Sequence, residues 1–562
     1  NDGSDQKITW ERDGNLFYHW AAASAGPVTL TFEYVSTYPA TIKIGGSGYG
    51  QPADPSKALV DAGDGVFVPF TSKTITIKGK RIRFRGDWRN ASGNFRELFN
   101  GTFGGGHNVT MSGGFDFEGA PAADMFRSTF LNCSNLTGPI PSDLFGNISG
   151  APASYMFYYT FYNCSNLTGP LPSGLFGNLS GAPATYMFHC TFYGCSNLTG
   201  SIPSGLFGNL TGAPASYMFS HTFYNCSNLT GSIPANLFAN ISGPPANSMF
   251  RFTFYGCSNL TGPIPDLFAN ISGKPADSMF RSTFNGCSNL TGSIPSGLFG
   301  NLSGAPATYM FSFTFNNCSG LTGSIPSGLF GDISGAPAAN MFRGTFYGCS
   351  KLTGTIPADL FGNISGAPAT GMFNETFRAC PNLTGSIPSG LFGDISGAPA
   401  AQMFDSTFYG CSNLTGSIPS GLFGNLSGAP ATYMFSFTFN NCSGLTGSIP
   451  SGLFGDISGA PAANMFRGTF YGCSKLTGTI PADLFGNISG APATGMFNFT
   501  FANCSKLTGS IPVGLFGDIS GAPADYMFYY TFTNCSKLTG ESALMPDGTT
   551  HLYEQFPTAS GT

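Results

Sequence analysis

The chain has 562 residues, only 9% of them charged, and a net charge of -5 with no run of like sign, so it offers no electrostatic footprint for nucleic acid or an anionic membrane. Single hydrophobic cores stop growing at roughly 250–300 residues, which leaves several domains or a linear array. The skew to 79 Gly and 56 Phe against 3 Trp favours the array.

The chain opens Asn1-Asp2-Gly3, with no initiator Met and no charged, apolar leader. This reads as a mature protein whose signal segment has been removed, and predicts an extracellular or cell-surface location. No run of about 18 apolar residues occurs, so no transmembrane segment is expected. Residues 1–124 hold Trp10, Trp20 and Trp88 and alternate in Val28–Val35 and Thr74–Phe84, which predicts a β-rich N-terminal capping domain. Its last part, Phe115–Ala123, is expected to merge into the first coil of the array. Lys78–Arg85 reads as a solvated basic strand face. Arg85-Gly86-Asp87 spells a tripeptide that integrins recognise, but three residues occur easily by chance.

From Met125 onward, fourteen Met-Phe pairs recur every 31 residues, with one step of 30 between Met249 and Met279 where a residue is missing beside Asp266. Gly286–Asn374 recurs letter for letter as Gly410–Asn498. A period of this size in so many copies exceeds a propeller and predicts a solenoid of fourteen coils over residues 125–540. In the coil Met156–Thr185, Phe157, Phe161 and Cys164 stand at i, i+4 and i+7, which predicts a short helix, with Pro152 near its start. Leu167–Pro172 reads as the strand that pairs with neighbouring coils, ended by a proline that cannot donate to the ladder. Gly177-Asn178 and Gly181 then read as turns. The expected fold is an α/β repeat solenoid, right-handed by the crossover rule and roughly 65 Å long at about 4.8 Å per coil. Glu541–Thr562 breaks the pattern and forms a C-terminal tail. Leu544, Leu552, Tyr553 and Phe556 in it are too few for a capping domain but enough to bind a groove, so they are candidates for head-to-tail self-association.

The fourteen coil cysteines, Cys133 to Cys535, share one register on the apolar face. They read as a buried thiol ladder, although neighbouring coils would bring them within disulfide reach. Cys190 lies outside that register, beside His189 and one coil from His221. A zinc site wants three or four ligands and no further His or Cys is in phase, so no metal and no cofactor are expected. Asn135, Asn147 and Asn178 open Asn-x-Ser/Thr sequons. They are glycan acceptors in a eukaryotic-type secretory route, or turn residues that bond their own backbone in stacked ladders. Tyr162, Tyr193, Tyr224, Tyr255, Tyr347, Tyr409 and Tyr471 form an outer stripe, either a contact face or rings shielding one another. No acid, base or nucleophile constellation suggests an enzyme.

The spacing Phe161-x-x-Cys164-x-x-Leu167, followed by a short strand ending in Pro172, resembles the BspA-like leucine-rich repeats of bacterial surface proteins, and the likeness runs over 125–540. Leu198–Pro203 is also similar to plant receptor repeats. The 31-residue coil, longer than the low twenties, and the Gly181–Ala184 insert depart from the family pattern. The resemblance implies leucine-rich-repeat coils and adhesion to host components or neighbouring cells. The expected function is therefore a non-enzymatic structural or adhesive surface protein that polymerises head to tail. The alternative is a recognition ectodomain binding a host glycan or protein on the solenoid strand face.

Overall fold

Residues 8–10, 16–18, 28–45, 50–103, 106–115, 118–119, 121–540, 544–551 and 554 are described by the structure, a computed structural model. In each coil the Met-Phe segment is a ladder of β-turns. The amides of Tyr158, Thr160, Tyr162 and Cys164 donate to carbonyls three residues back, at 3.0–3.3 Å. Those of Tyr155, Phe157, Tyr159, Phe161 and Asn163 instead donate to Thr185, Met187, His189, Thr191 and Tyr193 of the next coil, at 2.7–3.0 Å. A helix would spend every amide within its own segment and leave none to join stacked coils. What stops the helix is left-handed backbone at every fourth residue: Tyr155 and Tyr159 at φ +59° and Asn163 at +58°.

The expected helix is thus corrected, and with it the α/β character of the fold: the described residues of the coils contain none, and the protein is a parallel β-solenoid of about fifteen turns. The turn unit repeats every four residues, close enough to 3.6 to imitate a helical face. It points Met156, Phe157, Thr160, Phe161 and Cys164 inward, all fully buried. Phe rings stack from coil to coil, as in Phe157 on Phe188 at 5.3 Å, and Phe176 from the far side of the coil meets Phe157 at 4.4 Å.

The strand assignment also shifts. Asn178–Gly181, read from sequence as turns, is the strand, and it alternates exposed Asn178 and Ser180 with buried Leu179. It pairs in parallel with its neighbours, Ser149 opposite Asn178 and Ser180 opposite Asn209, a register of 29 residues against a sequence period of 31. The Leu167–Pro172 segment gives only single bridges, such as Gly138 to Leu167 and Gly169 to Leu198. Strand pairing runs as a four-stranded sheet from 118–119 to 209–210 and a nine-stranded sheet from 272–273 to 518–519. Between them it thins to isolated bridges at Ile241 and Ile271. The two coils there carry Ala239 and Ala269 where others carry glycine. At Gly208 (φ +71°) an added Cβ would lie 2.5 Å from the Leu179 carbonyl oxygen, so alanine at this place forces a different turn. Ile241 and Ile271 accordingly donate three residues back, to Phe238 and Phe268. The missing residue beside Asp266 is absorbed at Pro265–Leu267, and Phe250 still stacks on Phe280 with the rings 1° from parallel.

The N-terminal part is built on a six-stranded sheet, in spatial order 136–137, 109–112, 31–34, 81–86, 58–61 and 68–69. It is antiparallel except at one edge, where Leu136 of the first Met-Phe coil pairs in parallel with Val109. The turn ladder itself reaches back beyond Met125. Gly93, Glu97 and Gly101 have positive φ, and Phe95 and Phe99 donate to Met125 and Thr129. The Gly45 amide then closes on the Leu98 carbonyl at 2.9 Å, so the β domain covers this end of the ladder. At the other end, residues 544–551 fold back with Leu544 bridging His551, and Gly514 of the coil begun at Met496 donates to the Leu544 carbonyl at 3.0 Å. No helix among the described residues is long and apolar enough to cross a membrane.

Candidate functional site on the outward turn face

Differences between coils concentrate on the outward positions of the turn ladder, one before and two, three and six after each Met. The strand and Leu-Thr-Gly segments vary far less. In the early coils this face is aromatic. Tyr155, Tyr186 and Tyr217 stack at 5.0 and 4.5 Å, and Tyr162, Tyr193, Tyr224 and Tyr255 at 4.4–4.5 Å. Tyr158 stacks on His189 at 5.1 Å. Sequence reading found the Tyr162 series but missed Tyr155, Tyr158, Tyr186 and Tyr217. Aligning the coils on Met would have shown them in two variable columns, Tyr155, Tyr186 and Tyr217 one before Met and Tyr158 two after it.

Within this patch, His189, Cys190 and His221 bring one ligand atom each to within 4.8 Å of one another. His189 and Cys190 are buried and His221 is partly so. The Ser220 hydroxyl is 2.8 Å from His221 Nδ1, and His189 Nδ1 is buried without a hydrogen-bond partner. Burial, reinforced by Arg251, pushes His189 down to about 4; His221 is pushed down by burial, then by His189, Arg251 and Arg281. Burial pushes the Cys190 thiol well up, offset by a hydrogen bond from Tyr159.

Farther along, the face is charged. Arg378 pairs with Glu375 at 2.7 Å, Arg343 approaches the same carboxylate at 4.0 Å, and partly buried Asp405 lies in the next coil. Near the last coil, Arg467, Asn498, Phe499, Tyr526 and Tyr529 line a cleft of about 410 Å³ beside Gly495.

The other sequence candidates fall elsewhere. All fifteen cysteines are free and buried. Each of the fourteen in register donates to a Phe carbonyl of the preceding coil, as Cys164 does to Phe130 at 3.0 Å, and burial pushes these thiols up. Thr160 does the same to Phe126 at 2.9 Å, a buried threonine column that sequence reading passed over. Of the sequon residues, Asn135 is partly buried, Asn147 begins a strand, and Asn178 is exposed at a strand start. Equivalents of Asn135 form a side-chain ladder, Asn197 donating to Asn166 and Asn228 to Asn197 at 3.4 Å. The basic strand is matched by acids: Arg81 with Glu33, Arg83 with Asp61, Lys78 with Asp64. Arg85-Gly86-Asp87 sits at a strand end, with Asp87 paired to Arg89 at 2.9 Å, not on a loop tip. In the tail, Leu544 is partly buried and accepts from Gly514, while Leu552, Tyr553 and Phe556 lie outside the described residues. No protein-family model and no curated protein matches the chain.

Proposed function

We propose that the chain is a non-enzymatic, extracellular structural and adhesive protein of a cell surface, of the kind its resemblance to bacterial surface leucine-rich repeats implies. One observation carries the reading: the core and strand face repeat almost unchanged while the turn face varies from coil to coil. A uniform stack makes a stiff spacer, and an outward, partly exposed face of changing rings and charges makes a contact surface. The same face supports the recognition alternative, for a host glycan or protein, better than the strand face does, because stacked tyrosines offer flat, amphipathic surfaces.

Self-association belongs to this reading through the last coil. Among the described residues, the amides of Tyr526, Tyr530, Phe532 and Asn534 have no backbone acceptor, although their counterparts in every earlier coil bond the following one. Tyr526 and Tyr530 are 55% and 46% exposed beside them. Such an edge templates pairing with another chain. Because Gly45 already closes the first turn, a neighbour arriving head to tail docks on the β domain, giving a heterologous contact that propagates as a filament. Light scattering and negative-stain microscopy test this on full-length protein, on a form lacking residues 541–562 and on Tyr530→Asp. Mass rising with concentration, and end-to-end rods that Tyr530→Asp shortens, are expected. Monomers in all three at high concentration overturn the filament, and failure of the full-length protein to bind intact cells or their surface glycans overturns adhesion.

A further inference from the structure

We propose that His189, Cys190 and His221 form a binding site for a soft or borderline d10 cation, copper(I) or zinc(II). Two imidazoles and a thiolate are a donor set that such ions select. The three ligand atoms already lie within 4.8 Å of one another, so small side-chain rotations close them on one ion. Ser220 holds His221 at Nδ1 and leaves Nε2 as the open ligand atom, the kind of outer partner that orients a metal-binding histidine. His189 is only 9% exposed and its Nδ1 has no partner, a buried polar atom that a ligand would satisfy.

The repeat supplies an internal comparison. Cys190 lies outside the cysteine register and makes no thiol bond to a Phe carbonyl, unlike the fourteen others. Equivalent positions carry Ser128 and Ser282 for Cys190 and His221, and Ser220 and Ser312 for His189, so the stack does not require this trio for folding. Tyr158, Tyr159, Tyr193 and Arg251 surround it. Binding exchanges the thiol proton, released to solvent, for a metal–sulfur bond with no change of oxidation state. A thiolate with copper(I) is then neutral overall, whereas zinc(II) leaves a net positive charge beside the Arg251 guanidinium, so the surroundings favour the monovalent ion.

The test is competition of the full-length protein against a chelator, with copper(I) under anaerobic conditions and with zinc(II) separately. One equivalent per chain is expected, with copper(I) preferred. Cys190→Ser and His221→Ser should each weaken binding at least tenfold while circular dichroism and melting temperature stay unchanged. Metal uptake that is absent, or equal in the wild type and the His189→Ser/Cys190→Ser/His221→Ser variant, overturns the site.

Discussion

Seven residues after each Met the backbone is left-handed, and Asn or Gly stands there in every coil but one, where Ala379 has φ +55°. A side chain with a Cβ costs roughly 1–2 kcal/mol in that conformation, and Asn is tolerated through its short polar side chain. Glycine loses more chain entropy on folding, which offsets part of the relief. Ala379→Gly is therefore expected to stabilise the protein by about 0.5–1 kcal/mol in chemical denaturation, against a cost for the reverse change at Gly410. Asp405 carries a pH effect. Its burial, with Glu375 adding to it and the Ser406 hydroxyl opposing, pushes its carboxyl from the ordinary 3.8 up to about 6. The folded state then holds the proton more tightly than the unfolded one, so this group's contribution to stability falls as pH rises from about 4 through 6. Asp405→Asn, which copies Asn374 and Asn498 of other coils, should melt higher than the parent at pH 7.5, and the difference should vanish by about pH 4. An unchanged difference across that range would remove Asp405 from the account.

At the scale of the element, the repeat, the solenoid and the inward set Met156, Phe157, Phe161 and Cys164 were legible because burial imposes a period whatever the backbone does. The backbone type was not. An apolar set at i, i+4 and i+7 is shared by a helix and by a four-residue turn unit, and periodicity alone does not separate them. The separating signal was the Asn/Gly column at Asn163, Gly194 and Asn225, which marks left-handed backbone rather than a helix interior. Asn178–Gly181 was read as turns because Asn, Ser and Gly are poor strand formers. It is a strand because its one inward residue, Leu179, is buried and the neighbouring coils supply parallel partners. Of the candidate site, His189, Cys190 and His221 were visible as residues, but their closeness depends on coil stacking. The sequence reading placed His189 beside Cys190 and His221 one coil on, and set a metal aside because no further His or Cys is in phase.

For the whole molecule, each coil bonds only the coils before and after it, so stability is a sum of nearest-neighbour terms. Excising residues 286–409 joins Asn285 to Gly410, and the sequence after the joint reads as it did before for 89 residues, the length of the Gly286–Asn374 duplicate. The shortened protein is expected to fold, to stay soluble and to lose four coils of length in scattering. Loss of cooperative melting would show that distant coils are coupled.

The amides of the turn ladder that link one coil to the next point along the axis of the stack. Tension applied at the two ends is therefore carried by the coil interfaces in series, so they yield one at a time. A coil that peels away frees 31 residues, which extend to about 105 Å at roughly 3.4 Å each, against the approximately 5 Å it occupied in the stack. A stack built this way limits the force it transmits under load and lengthens in steps. Its near-identical coils set nearly the same yield force at each step, and because no disulfide among the described residues locks them, they can re-stack when the load is released.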